Sequence, residues 1–172
     1  MRLVYVIGEP GVGKSTLVRR TLEPLTATPE RKPFAHVHYY RESELVLTQL
    51  GAEDPMFPGT DRLSMGVLPA AIEFVNTSHS PLILAEGDRL ATRKFLDAVE
   101  REVLLVRCVA PQSVIEARRA ARGSDQSPSW LAGRRTKINR LWDGWTGPRL
   151  RISTNGSEAV STALLRSALE FH

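Results

Sequence analysis

Five consecutive apolar residues, Leu3-Val4-Tyr5-Val6-Ile7, run straight into Gly-Glu-Pro-Gly-Val-Gly-Lys-Ser-Thr, residues Gly8 to Thr16. Gly8, Gly13, Lys14 and Ser15 satisfy G-x-x-x-x-G-K-[ST] without departure. That pattern works only where a strand ends, the backbone turns sharply and a helix begins, so it restricts the fold more than any other stretch of the chain. The glycines let successive N–H groups point at one cluster of oxygens. The helix that follows offers its positive end. Lys14 supplies a point charge for β- and γ-phosphates, and the Ser15 hydroxyl suits Mg²⁺. Gly8, Gly11, Val12, Gly13, Lys14, Ser15 and Thr16 are therefore the expected cradle of a nucleoside triphosphate, read as ATP with Mg²⁺. An ordinary glycine turn would leave Lys14-Ser15 at a helix start without a reason.

The rest of the chain alternates apolar runs with helical spacing. A helix is predicted from Lys14 to about Glu23, stopped by Pro24, and a strand over Ala35–Tyr40. Glu42–Leu50 has helical spacing, and Glu53–Met65 is rich in turn residues, with Pro55, Pro58 and Gly59 as punctuation. Helix follows over Gly66–Asn76, strand over Pro81–Glu86, amphipathic helix over Thr92–Glu102 and strand over Val103–Ala110. Pro111–Arg122 reads as a helix with proline in its first turn and Gly123 as its C-cap. Gly123–Ser129 is a loop, and Trp130–Trp145 a helix broken near Gly133 or ended near Gly144. Arg149–Ser153 is a fifth strand, Asn155-Gly156 a turn, and Ser157–Leu169 the last helix. Strands without polar alternation are buried on both faces, which argues a parallel sheet. The expectation is a three-layer α/β fold with a five-stranded parallel sheet, as one domain over residues 1–172. Ligands of such folds gather at the carboxyl ends of the strands.

Charge sharpens the functional reading. The net charge is only +4, but residues 118–140 hold Arg118, Arg119, Arg122, Arg134, Arg135, Lys137 and Arg140 against Asp125 alone. The remainder is net acidic, so one segment carries the basic character, and a polyanionic ligand beside it is expected. No apolar run is long enough to cross a bilayer, and the N-terminus lacks a signal-peptide layout. The single Cys108 excludes an internal disulfide, fits a reducing cytoplasm, and sits in an apolar run as a core residue. Histidines 36, 38, 79 and 172 lack metal-ligand spacing, so no structural zinc is expected. Trp142 and Trp145 are expected to pack at the sheet edge. A guanine-specifying Asn-Lys-x-Asp is absent, which disfavours a GTPase.

With the glycine loop and the arginine segment in place, the chain resembles P-loop kinases of the nucleoside-monophosphate-kinase type over nearly its whole length. In that group, arginines of a lid between the fourth strand's helix and the fifth strand close over the transferring phosphoryl. Here "EARRAARGSDQSPSWLAGRRTK", a lid of about residues 119–136, holds that place. The resemblance implies Arg122 and Arg134 as catalytic, Arg118 at the nucleotide and Arg135 at the substrate. It also implies that Ser153–Ala159 cups adenine. The strand end "LILAEGDRL" resembles the strand-end Asp-Gly-Arg of these kinases but departs from it, with Glu86 replacing the aspartate and Asp88 two residues on. It also lacks the Asp-Arg-Tyr strand end of cellular thymidylate kinases. Glu86 is assigned to the metal with Ser15, and Asp61 or Asp88 to the general base.

The acceptor region is expected at about residues 41–77, after the second strand. Tyr40, Arg41, Asp61, Arg62, Trp130 and Arg135 are its candidate contacts, with Tyr39 and Phe57 as further aromatic surfaces. Asp61 reads equally as a helix cap before Leu63, and Tyr39 better as core. "PGTDRLSM" and "RGSDQSPSWLAGRRTK" resemble small bacteriophage thymidylate-kinase-like proteins, some of which phosphorylate 5-hydroxymethyluracil in phage DNA. That resemblance implies a DNA acceptor, with lid cations on its phosphates and Trp130 as a stacking surface. Three readings stay open: a kinase of hydroxymethylated pyrimidine in DNA, a deoxynucleoside monophosphate kinase, and a P-loop ATPase or binding module. Host cytoplasm follows if the gene is a phage's. Oligomeric state is not legible.

Overall fold

The computed structural model describes residues 1–51 and 59–170. The chain folds as β1 (Arg2–Ile7), α1 (Lys14–Leu22), β2 (Thr26–Glu30), β3 (His36–Arg41), β4 (Glu44–Leu50), a 3₁₀ turn (Thr60–Arg62), α2 (Leu68–Thr77), β5 (Leu82–Glu86) and α3 (Arg93–Ala98). It continues through β6 (Glu102–Val109), α4 (Gln112–Ala121), α5 (Pro128–Gly144), β7 (Arg149–Ser153) and α6 (Glu158–Ala168). The sheet order is β2-β3-β4-β5-β1-β6-β7. β4, β5, β1, β6 and β7 run parallel, while β3 is antiparallel to both β2 and β4.

The apolar run at the start of the chain is the central strand. Leu3, Val4, Tyr5 and Val6 are fully buried. Leu3, Tyr5 and Ile7 pack with Ile83, Ala85 and Leu105 against Ala71 and Val75 of α2, Phe95 of α3, and Ile138 and Leu141 of α5. Val4 and Val6 face the other way, packing with Leu84 and Val106 against Leu17 and Val18 of α1, Ile115 of α4 and Leu165 of α6. A strand buried on both faces between two helical layers needs no polar alternation, and each such side chain contributes about 1.5–3 kcal/mol on burial. Truncating Leu3 or Tyr5 would open a cavity at the centre of the molecule.

The five-stranded, fully parallel expectation is corrected: the sheet is mixed and has seven strands. Glu42–Leu50 is not helical. The chain turns at Glu42, which takes a left-handed conformation (φ 56°), and returns as β4. Buried Thr48 and Gln49 then meet partners on β3: Thr48 Oγ1 lies 2.7 Å from His38 Nδ1, and the Tyr39 hydroxyl donates to Gln49 Oε1 at 3.0 Å. These cross-strand bonds override the helix propensity of Glu, Leu and Gln. The second missed strand, β2, is an edge whose five residues are all exposed. An outermost strand tolerates Pro29, which has no N–H to donate, because β2 is paired on one edge alone.

Other expectations match the structure. Gly123 is left-handed (φ 62°), and Gly123 N and Ser124 N close α4 on the carbonyls of Ala120 and Arg119. α5 passes through Gly133 unbroken and ends at Gly144. Cys108 is buried, which pushes its thiol up to about 12. Trp142 is buried, with the guanidinium groups of Arg107 and Arg149 over its ring. Among the described residues no helix is long and apolar enough to cross a membrane.

Candidate active site

The loop after β1 wraps the start of α1. Gly13 caps the helix in a left-handed conformation (φ 102°), and a Cβ there would meet Arg118 Nη1 at 3.4 Å, so glycine serves both the turn and the close approach. Lys14 Nζ donates to the Gly8 carbonyl at 2.9 Å and the Glu9 carbonyl at 3.4 Å, so its ammonium lies across the loop's mouth. Ser15 Oγ donates to Glu86 Oε2 at 3.2 Å. Val12 is buried, and its carbonyl accepts from Arg118 Nη1 (2.9 Å) and from the Thr154 hydroxyl. Gly11 and Thr16 are half-buried, Thr16 in the first turn of α1.

Glu86 ends β5 in register with Val6 of β1, which sets its side chain beside the phosphate loop at only 2% exposure. Gly59 is left-handed (φ 67°), and a Cβ there would meet the Glu86 carbonyl oxygen at 2.6 Å and Cγ at 2.7 Å. The loop that follows β4 is thereby pressed directly onto this acid. Thr60 Oγ1 donates to the Glu86 carbonyl (2.9 Å), and the Tyr5 hydroxyl donates to the Gly87 carbonyl (3.3 Å). Burial raises the Glu86 carboxyl above the usual carboxylate range, opposed by Lys14 and the Ser15 hydroxyl. Burial also pushes Tyr5 far up, so its phenol is a neutral structural hydrogen-bond partner.

Asp61 and Asp88 meet on this rim. Asp88 N donates to Asp61 Oδ1 at 2.6 Å, and Arg89 Nη2 reaches the Asp61 carbonyl at 3.5 Å. Asp61 is exposed overall, with its Oδ1 laid against the Gly87–Asp88 backbone. Desolvation there raises its pKa, while Lys14, the Arg89 N–H and Arg134 pull it back. Asp61 does not cap α2, which starts at Leu68 with Val67 as N-cap and no side-chain cap. Asp88 is engaged differently. Its carboxylate pairs with Arg134 and, at 3.0 Å, with Lys137 Nζ, which also donates to the Asp88 carbonyl at 2.9 Å. Burial, and then Arg134, lower the Lys137 pKa.

The lid's cations reach the site from two helices. α4 carries Arg118, whose Nη2 donates to the Thr154 carbonyl at 2.7 Å, and Arg119, whose aliphatic stem lies on Gly11. α5 is capped by Ser127, whose hydroxyl accepts from Trp130 N. It carries Arg134 and Lys137 to Asp88, and Arg135 to Glu9, with Nε 2.9 Å from Glu9 Oε2. The Arg134 guanidinium also lies 4.8 Å from the Trp130 ring centre, and Trp130 is 39% exposed. The basic cluster of the sequence is thus largely folded inward as the wall of the site.

The structure assembles Gly8, Gly11, Val12, Gly13, Lys14, Ser15, Asp61, Glu86, Asp88, Arg118, Arg134 and Arg135 around one rim. It does not bring in Tyr40 and Arg41. These end β3, where Arg41 pairs with Glu44, whereas His36 pairs with Leu50 beside the carboxyl end of β5. At about 3.3 Å per residue, Arg41 lies roughly 17 Å from His36, at the opposite end of the sheet. Directly after β3 the chain makes a tight hairpin into β4 rather than a loop. The stretch that faces the phosphate loop follows β4, and the described part of it starts at Gly59, which packs on Glu86. Tyr39 is core, as expected. Arg122 stands exposed at the end of α4. Arg62 is exposed in the 3₁₀ turn. Phe57, Pro55 and Pro58 fall outside the described residues. Sequence reasoning left Glu9, Lys137, Thr60 and Tyr5 without a role in the site, and placed Thr154 in the stretch expected to cup adenine, where it instead bonds the Val12 carbonyl and Arg118. Only Glu9 and Lys137 carried a signal, as charges inside the loop motif and the basic cluster.

Ser15 and Glu86 present two hard oxygens side by side at the loop. This donor set fits Mg²⁺, which takes few protein ligands and fills its shell with water and phosphate oxygens. Among the described residues no group of three or more His, Cys, Asp or Glu side chains forms a metal cage.

No curated protein sequence matches the chain. Among solved structures it resembles a gluconokinase from Sinorhizobium meliloti 1021 at 16% identity and TM-score 0.51, covering 98% of this chain and 95% of that one. A Plasmodium falciparum chain described as nucleolar GTP-binding protein 1 aligns at 9% identity and TM-score 0.41, over 98% of this chain and 85% of that one. The first likeness shows the fold alone. The family model for P-loop nucleotide kinase 3 matches residues 1–169, essentially the span that builds the loop, the acid rim and the lid, and the chain belongs to that family.

Proposed function

We propose that the protein transfers the γ-phosphoryl group of ATP to a hydroxyl, and that this hydroxyl belongs to a 5-hydroxymethylated pyrimidine in DNA. All of residues 1–172 act as one kinase domain. The observation that carries the hydroxyl half is Asp61. Its carboxyl is turned to the rim by Asp88 N, has a raised pKa, and feels the charge of Lys14. A hydroxyl acceptor brings a proton that must leave, and a carboxylate poised toward neutrality accepts it. A phosphate acceptor brings negative charge instead, and would meet Asp61, Glu86 and Asp88 together. In the reaction Asp61 takes the proton as the acceptor oxygen bonds to the γ-phosphorus, and the bond to the β-phosphate oxygen breaks to release ADP. Lys14, Arg134 and Arg135 offset the charge spread over the transferring group. Mg²⁺ held by Ser15 and Glu86 would supply further charge neutralisation at the β- and γ-oxygens.

The DNA half is supported by the phage-kinase resemblance and by the exposed Trp130 at the lid's start, a surface for a base. The base must leave its stack to reach Asp61. The test offers γ-labelled ATP with hydroxymethyluracil DNA, plain DNA and deoxynucleoside monophosphates side by side, across a salt series. Label in hydroxymethyluracil DNA alone, falling steeply with salt, is expected. Label in mononucleotides makes the protein a nucleotide kinase. ATP turnover without any acceptor makes it an ATPase or binding module.

A further inference from the structure

A carboxylate inside a phosphate-binding loop is unexpected, because the loop's N–H groups and Lys14 are arranged to attract anions. Glu9 is such a group, one residue after Gly8, and its side chain is only 18% exposed. Its Oε2 accepts from Arg135 Nε at 2.9 Å, across 126 residues of sequence. The same guanidinium donates from Nη2 to Gln112 Oε1 at 2.8 Å, and Gln112 Nε2 donates to Glu116 Oε1 at 2.8 Å. Arg135 therefore joins three elements: the loop, the first turn of α4 and the body of α5. Burial lowers the pKa of Arg107 on β6, and the charge of Glu9 is among those that oppose that shift.

We propose that Glu9 is a positioning residue, which sets Arg135 over the mouth of the phosphate loop before the nucleotide arrives and yields it to the triphosphate on binding. This rests on the kinase reading above. In the free protein a guanidinium on a long side chain would sample many rotamers, and fixing it in advance lowers the entropy lost when it engages the transferring group. The cost is electrostatic: the charge of Glu9 opposes that of the phosphates beside it. The two effects act on different quantities. Removing the charge of Glu9 relieves repulsion of ATP, which acts on binding, and releases Arg135, which acts on transfer.

The test measures ATP affinity by calorimetry and kcat for Glu9→Gln, Arg135→Gln and the double variant, with Glu9→Asp as the conservative variant. Glu9→Gln is expected to bind ATP as well as or better than wild type while losing kcat by up to about 10²-fold, the scale of a misplaced catalytic group. Glu9→Asp is expected to recover part of that kcat. In the Arg135→Gln background, Glu9→Gln is expected to remove no further kcat and to change ATP affinity by a different factor than it does in wild type. Independent, multiplying losses in the two variants, or a Glu9→Gln protein with weakened ATP binding and unchanged kcat, would overturn the proposal. If wild type transfers phosphoryl to no acceptor, the kinase reading fails by itself, and the affinity cycle alone decides: equal factors in both backgrounds dismiss the link, unequal factors uphold it.

Discussion

The two halves of the sheet are built differently. From β5 through β1 and β6 to β7, parallel strands each end at the same rim, and each strand end delivers something: the phosphate loop after β1, Glu86 and Asp88 after β5, Arg118 on the helix after β6, and Thr154 after β7. On the other side, β4, β3 and β2 form an antiparallel ribbon whose β3–β4 turn points away from that rim. The donor half therefore carries chemistry at every strand end in sequence order. The half that we propose faces the acceptor delivers it only after β4, through Gly59, Thr60 and Asp61. A parallel run advertises where its site is; a hairpin inserted into it reverses which end of a segment faces the site.

Lys14→Ala should break the donor half most severely, with phosphoryl transfer reduced by at least about 10²–10³ while the thermal melt stays near wild type, since the hydrogen bonds of Lys14 Nζ among the described residues go to the loop carbonyls of Gly8 and Glu9. Steady-state kinetics beside circular dichroism checks both parts. On the acceptor side, Asp61→Asn should cost about 10²–10⁴ in kcat. A base must be ionised to act, so wild-type kcat should fall as pH drops through the raised pKa of Asp61, and that acid limb should vanish in Asp61→Asn. Asp88→Asn should lower kcat but keep the limb, because Asp88 holds Arg134 and Lys137 rather than the acceptor proton.

Glu86 sharpens the comparison through stability. Its folded pKa is raised by burial above the unfolded value. The folded state thus binds its proton more tightly, a contribution present below the unfolded pKa and lost as pH rises through the folded one. Glu86→Gln should therefore raise stability at neutral pH by about 0.5–2 kcal/mol, with the gain fading below the ordinary carboxylate range, while transfer is lost. Denaturant melts at several pH values read this directly. Smallest of all should be Arg41→Ala, exposed at the far end of β3, and Arg122→Ala, exposed at the end of α4, with stability changed by no more than about 0.5 kcal/mol and acceptor KM unchanged.

Legibility in the sequence follows the same division. The phosphate loop could be read because its residues are contiguous and each does a separate job on one ligand. The α/β layering could be read because β1, β5 and β6 are buried on both faces. β4 could not, since His38 and Tyr39, which satisfy its buried Thr48 and Gln49, lie on another strand. β2 could not, because an exposed edge strand has no apolar pattern to show. Of the basic cluster the sequence revealed the charge but not its direction. Arg118, Arg134, Arg135 and Lys137 turn inward to Thr154, Asp88 and Glu9, while Arg122 stays in solvent, and only the paths of α4 and α5 separate them.

The nature of the bond formed tests the hydroxyl acceptor most directly. The phosphorylated product made from ATP should be isolated and its ³¹P spectrum recorded. The result expected is a single phosphate monoester resonance with no phosphorus–phosphorus coupling, lost when Asp61→Asn replaces the wild-type protein. A pair of coupled resonances from a new diphosphate, or the same monoester at an undiminished rate from Asp61→Asn, would contradict it.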